Sequence, residues 1–249
     1  AAKLAIKDVR FVPISALMGD NVVDRSKNMD WFQGPTLMHN LETVHIGSDQ
    51  NHIDARFPVQ YVVRPMTTEY HDYRGYAGRI AGGIFRQGDE VVVLPSGFTS
   101  KVKSLDTMTG AVEKAFPPMS VTMTLEDDID VSRGDMIVKV GNQPKQEQGF
   151  DIMVCWMGDK PMQVGGKYAL KHTSRDARCI VKDVKYKMNI NTLQKIEDDN
   201  NISLNDIARI TVRTTVPIFL DGYRKNRNTG SLIIIDEATN NTVGAGMIV

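Results

Sequence analysis

From Phe57 onward, one stretch after another places an apolar residue at every second position. Phe57, Val59, Tyr61 and Val63 do so first, and Met119, Val121, Met123 and Leu125 alternate with Ser120, Thr122, Thr124 and Glu126. A side-chain period of two puts one face in a core and the other in water, which a helix cannot satisfy. Phe150, Ile152, Val154 and Trp156 repeat the pattern. Val184, Tyr186, Met188 and Ile190 stand opposite Asp183, Lys185, Lys187 and Asn189, and Ala208, Ile210, Val212, Thr214 and Val216 opposite Arg209, Thr211, Arg213 and Thr215. Gly88-Asp89 and Gly134-Asp135 are turns, each followed by an apolar run. Many short strands between such turns point to barrels or sandwiches.

Two polar stretches divide the chain. Residues 47–54 and 143–149 read as linkers, giving a first piece over 1–55, a β domain over 56–145 and a second over 146–249. The first piece has another character. Val9 to Ile14 alternates and reads as a strand without a neighbouring partner, as if the chain began inside a domain. Gly34-Pro35 opens a helix with its proline in the first turn, and Leu37, Met38, Leu41 and Val44 form one apolar face. Residues 193–207 are acidic and weakly patterned, a long connection with one helical turn at most. The chain closes on a hairpin. Leu232 to Ile235 is one strand, the Asn240 region reverses it, and residues 243–248 return with two glycines that allow a bulge or a close backbone neighbour.

Composition removes several function classes. The chain has 249 residues, 41% of them hydrophobic, so it can build cores without staples. Lys plus Arg and Asp plus Glu number 30 each, which argues against a bulk attraction to nucleic acid. Cys155 and Cys179 are too few for a disulfide framework and wrongly spaced for zinc. They fit a reducing cytoplasm. No apolar run approaches membrane-spanning length.

No catalytic constellation stands out, and no metal site is assigned. Residues 126–130 are acidic but lack the spacing of a calcium loop, so they read as a solvated turn. The five histidines are scattered and read as loop or surface residues. Cys179 reads as a small buried hydrophobe. Trp31 and Phe32 form either a stacking platform or packing at a domain seam. Lys182, Lys185 and Lys187 read as a wet strand face. The loop carrying Arg224, Lys225 and Arg227 is polar and should lie on the surface, either as plain solvated chain or as a contact for phosphate or an acidic partner. No GxxxxGK[ST] loop and no GxGxxG is present.

Several segments resemble known proteins. Phe11-Val12-Pro13-Ile14-Ser15-Ala16-Leu17 is similar to the last nucleotide motif of translation-factor GTPases, where the Ser-Ala-Leu turn contacts guanine. Trp31-Phe32-Gln33-Gly34-Pro35-Thr36-Leu37 resembles the exit from the G domain in elongation-factor-1α-like proteins. Residues 75–83 and 86–89 resemble the second-domain barrel of that superfamily. The resemblance implies two consecutive β-barrels preceded by an α/β remnant of a G domain. The C-terminal wording, Asp221-x-Tyr223-x-x-Asn226-Arg227-x-Thr229-Gly230 with Thr239-Asn240-x-Thr242-Val243-Gly244-Ala245-Gly246, resembles the large, GTP-binding subunits of bacterial sulfate adenylyltransferase.

That resemblance implies an assembly forming adenylyl sulfate and pyrophosphate from ATP and sulfate. A small adenylyl-transferring subunit is the partner, and GTP with Mg²⁺ serves the full-length protein. It implies a guanine contact at Ser15, Ala16 and Leu17, no catalytic residue here, and partner contacts at Arg224, Lys225 and Arg227. The phosphate loop and the Asn-Lys-x-Asp motif would lie upstream of Ala1, so no cofactor and no activity are expected of this stretch by itself. The alternative is an elongation-factor-1α-like fragment that binds aminoacyl-tRNA.

Overall fold

The structure is a computed structural model that describes residues 9–44, 50–65 and 72–249. The chain falls into two compact units, one through Asp49 and one from Gln50 to Val249. In the first, residues 9–14 form no strand. No described segment pairs with them, and the sole bridge there joins Ser15 to Asp20. Backbone pairing, not alternation, makes a strand. Helix α1 spans Leu37–Thr43. Thr36 caps it by accepting a hydrogen bond from the His39 amide at 3.3 Å, so Pro35 precedes the cap instead of sitting in the first turn. None of the α1 residues is buried.

The second unit is all β. Its first half holds β1 (Phe57–Val63), β2 (Gly75–Arg79), β3 (Phe85–Arg86), β4 (Glu90–Leu94), β5 (Thr99–Thr107), β6 (Gly110–Ala111), β7 (Lys114–Ala115), β8 (Ser120–Leu125) and β9 (Met136–Lys139). Strands run β4-β9-β1-β2-β8-β5, and β5 pairs back to β4, which closes a six-stranded antiparallel barrel. The second half holds β10 (Lys145–Trp156), β11 (Lys167–His172), β12 (Arg175–Met188), β13 (Lys195–Ile196), β14 (Ile207–Leu220), β15 (Ser231–Ile235) and β16 (Thr242–Ile248). The order β11-β15-β16-β10-β14-β12, with β12 pairing back to β11, closes a second barrel. Closure leaves neither barrel with an open edge.

The period-two stretches fill the cores. Phe150, Ile152, Val154, Trp156, Ala208, Ile210 and Val212 all face inward in the second barrel. Gly246 lies against Leu232 and Ile152, where an added Cβ would come within 2.8 Å of the leucine. Asn240 takes the positive φ of the hairpin turn, at 58°. Cys179 is buried in the same core, and burial pushes its thiol up to about 12.

Three expectations change. Residues 143–149 are not slack, because β10 starts at Lys145 and pairs at once with Leu220, Phe219 and Ile218. Within 193–207 there is no helical turn. Lys195–Ile196 is a short strand, and Ile202 is fully buried against the second core through a bridge to Met162. His172 is no surface residue but a buried one at the end of β11, whereas His45 and His71 lie outside the described residues.

The alternation fails where strands are buried on both faces. Ile218, Phe219 and Leu220 are all buried, as are Val91, Val92, Val93 and Leu94. Val91 and Val93 fill the first core, while Val92, Leu94, Met136 and Val138 turn outward and meet Phe219 from the second barrel. Continuous apolar runs are what a strand covered on both sides requires.

Candidate functional site: the 221–230 loop and the 15–17 turn

Beside that apolar seam, the polar loop 221–230 locks the second barrel onto the first. Arg56, whose side chain is 1% exposed, donates from Nε to Asp221 Oδ2 at 2.8 Å and from Nη2 to Oδ1 at 3.0 Å. Its Nη1 donates to the carbonyls of Ala55 and Asn142 at 2.9 and 2.6 Å. Asp221 also accepts from the Thr229 hydroxyl at 2.7 Å. A buried ion pair is costly to desolvate, and it is tolerable here because nearly every donor and acceptor is matched.

Asn226 does two things. Its Oδ1 accepts from the Asn228 and Thr229 amides, folding the loop on itself, and its Nδ2 donates to Ala81 O at 3.0 Å in the first barrel. Lys225 Nζ reaches Asp54 Oδ1 at 3.0 Å, and Asp54 also accepts from Asn51 and Asn142. Burial pushes the Asp54 carboxyl up, but these three partners outweigh it and hold the group at about 2. The packing leaves no room for side chains: a Cβ on Gly82 would lie 2.5 Å from Asp54 O, and one on Gly230 2.4 Å from Tyr223 Cα.

His172 completes the lock, with Nε2 2.7 Å from Thr229 O. A carbonyl only accepts, so Nε2 carries the proton. Burial lowers the imidazole's pKa, against the Thr229 bond and the charge of Asp221, which raise it. Arg175 lays its guanidinium over the Phe219 ring at 5.6 Å and stands 3.8 Å from Asp135, closing the apolar side. The arrangement presents no nucleophile and no free base. Its charges are matched, so it can hold geometry.

The surface loop expected from sequence is therefore half interior, with Asp221, Asn226, Thr229 and Gly230 buried and Arg224, Lys225 and Arg227 exposed. Of the three cations expected to meet a partner, Lys225 is already joined to Asp54. No pattern along the chain marked Arg56, Asn142 or His172 as partners of this loop. The loop's polar wording read only as surface chain, and its counter-charge lies 165 residues away.

In the first unit, Ser15, Ala16 and Leu17 form a turn. Ser15 N donates to Asp20 O at 3.2 Å, Gly19 N to Ser15 O at 2.8 Å, and Met18 N to Ser15 Oγ at 3.3 Å. Leu17 is 93% exposed. Trp31 meets Phe32 edge to face at 6.2 Å and is 72% exposed. Among the described residues no cluster of His, Cys, Asp or Glu could hold a metal ion, and the sequence has no phosphate loop. The described residues thus supply neither metal ligands nor a phosphate cradle for GTP·Mg²⁺.

Comparison with known proteins follows the same division. A GTP-eEF1A C-terminal domain-like family matches residues 149–249. The Bifunctional enzyme CysN/CysC of Mycobacterium tuberculosis is 49% identical over 249 residues, which is 100% of this chain and 41% of that protein. Sulfate adenylyltransferase subunit 1 of Bacteroides thetaiotaomicron is 47% identical over 254 residues, covering 99% of this chain and 52% of that one. The chain thus spans about half the length of the relatives it matches. In fold it is similar to sup35 complexed with GMPPNP, with a TM-score of 0.73 at 18% identity, over 98% of this chain and 59% of that one. By sequence the chain is similar over its whole length to sulfate adenylyltransferase subunit 1 proteins, and its last 101 residues match a family named for the C-terminal domain of GTP-eEF1A.

Proposed function

We propose that this chain is part of the GTPase subunit of a sulfate adenylyltransferase, the assembly that forms adenylyl sulfate and pyrophosphate from ATP and sulfate in sulfate assimilation. The observation that carries this reading is near-half identity across the whole chain to subunit 1 proteins. The translation-factor alternative has a fold likeness at 18% identity and a GTP-eEF1A C-terminal domain-like match over 149–249, and a balanced charge gives no bulk attraction to tRNA.

In this reading GTP with Mg²⁺, bound to the whole protein, supplies the free energy that drives adenylyl transfer. Ser15, Ala16 and Leu17 contact the guanine base. The residues of 56–145 and 146–249 act as two barrels held at a fixed angle by the Arg56–Asp221 lock, so that a push on one displaces both. Adenylyl transfer belongs to a small partner subunit, and Arg224 and Arg227 are candidate contacts to it, with Lys225 tied back to Asp54. No described helix is long and apolar enough to cross a membrane, and we place the assembly in the cytoplasm. This stretch by itself is inactive.

The test is ATP–pyrophosphate exchange by the full-length protein mixed with its small subunit. GTP should stimulate exchange, and its failure to do so would overturn the assignment. Calorimetry on residues 1–249 should detect no micromolar GTP binding.

A further inference from the structure

The second unit begins at Gln50, inside a stretch whose polarity reads as linker. Residues 51–56 are not slack. Asn51 Oδ1 accepts from the Ile53 and Asp54 amides, both at 2.9 Å, which closes a turn on itself. The Asn51 carbonyl accepts from Gly83 N at 2.8 Å, and the Arg56 amide donates to Gly82 O at 3.0 Å. The Ala55 amide donates to Asn142 Oδ1 at 2.9 Å. A Cβ on Gly83 would lie 2.4 Å from Ala55 Cα, so the two backbones touch. These contacts fasten the entering chain to the first barrel.

A second set fastens it to the other barrel. Asn51 Nδ2 donates to Lys225 O at 3.1 Å and to Asp54 Oδ2 at 2.8 Å. Asp54 is buried and takes Lys225 Nζ on its Oδ1 at 3.0 Å. Two residues later Arg56 meets Asp221. The chain is therefore bonded to both barrels before β1 begins. The two sets meet at Asn51, whose carbonyl holds the first barrel and whose amide nitrogen holds the second. An aspartate would close the same turn through the same oxygen, so the nitrogen is what asparagine adds. As stability, one such bond is worth little. Its mechanical consequence is larger. A tether bonded to one barrel would draw on that barrel and leave the seam to carry the load, whereas a tether bonded to both draws on them together.

We propose that Asn51 is a positioning residue for the GTP-driven step, fastening the entry of the chain to both barrels at once. A displacement arriving along the chain from the nucleotide-binding part is then delivered to the two barrels as one body. The inference rests on the GTPase-subunit reading above.

The experiment uses the full-length protein with its small subunit, ATP, sulfate and GTP, and measures GTP hydrolysed per adenylyl sulfate formed. Unfolded chain contributes to neither quantity, so the ratio is blind to a loss of folded protein. Wild type is compared with Asn51→Ala, which removes turn and tie, and with Asn51→Asp, which keeps the turn's acceptor and removes the donor. Ile53→Ala is the control, because that side chain is 86% exposed and its amide bond to Asn51 is kept. Both Asn51 variants should hydrolyse about threefold or more GTP per product, and the control should match wild type. An unchanged ratio in both would overturn the proposal and leave the GTPase reading standing. A rise for Asn51→Ala alone would assign the effect to the turn, and a rise for Asn51→Asp alone to repulsion from Asp54. Either result overturns the tie. Wild type that shows no GTP-dependent synthesis would overturn the reading and the inference together.

Discussion

The last hairpin carries a polar segment at each end, and the two have opposite fates. Residues 221–230 lead into β15 and are drawn into the seam, where Asp221, Asn226 and Thr229 are buried and each is hydrogen-bonded. Residues 236–241 connect β15 to β16 and stay largely in water, with Asp236 capping its own turn. Both are rich in Asp, Asn and Thr. The difference teaches that polarity does not place a loop on the surface. What places it is whether another element supplies partners, since a buried polar group is tolerated once it is bonded.

The contrast can be broken most forcefully at Arg56. Arg56→Ala leaves Asp221 buried without its counter-charge and should cost about 3–5 kcal/mol in urea unfolding. Loss of much less would mean that the pair is dispensable to the seam. Phe219→Ala removes the one ring that the second barrel sends into the apolar seam. A cost of about 3–5 kcal/mol is expected, together with independent tumbling of the barrels in NMR relaxation if the seam parts before the cores melt. Gly82→Ala drives a methyl against Asp54 O, and overpacking of this kind costs about 1–3 kcal/mol. A thermal scan that shows no change would rule out the close approach.

A milder probe is pH. Burial holds the His172 imidazole below its ordinary value of 6.5, so the unfolded chain takes up the proton first. Its contribution is therefore whole above pH 6.5 and is lost as the pH falls below that value. Asp54, held at about 2 against an ordinary 3.8, adds a second loss only as pH falls from 3.8 toward 2. Denaturation midpoints measured either side of pH 6.5 should show the first step, and His172→Gln should flatten it. The smallest effect belongs to the exposed turn. Asn240→Ala, at φ 58°, should cost about 1 kcal/mol and leave the seam's NMR signals unmoved.

The strands were readable wherever one face of a strand meets water. Phe150 to Trp156 and Ala208 to Thr214 declared their inward residues through alternation, whereas the close neighbours of Gly246 are the side chains of Leu232 and Ile152 and not the backbone expected. Alternation was silent at residues 218–220 and 91–94, because there the second face is covered by the other barrel. The Val9 to Ile14 stretch shows the reverse error, a clean pattern that pairs with no described strand. Of the expected site, Ser15, Ala16 and Leu17 form a turn, and Lys225 proved to be tied to the first barrel. His172 gave no signal at all, since its partner is a backbone carbonyl.

By itself the sequence determined the β class, the inward residues of the one-sided strands, the final hairpin and the likeness to sulfate adenylyltransferase subunit 1 proteins. Those depend on local periodicity and on wording, which a linear chain displays. The tertiary structure decided which polar residues are interior. Arg56 and Asp221 lie 165 residues apart and His172 and Thr229 57 apart, and no local rule names a partner at such separation. Bringing the barrels together costs the desolvation of a charged pair, and only the folded seam supplies the bonds that offset it.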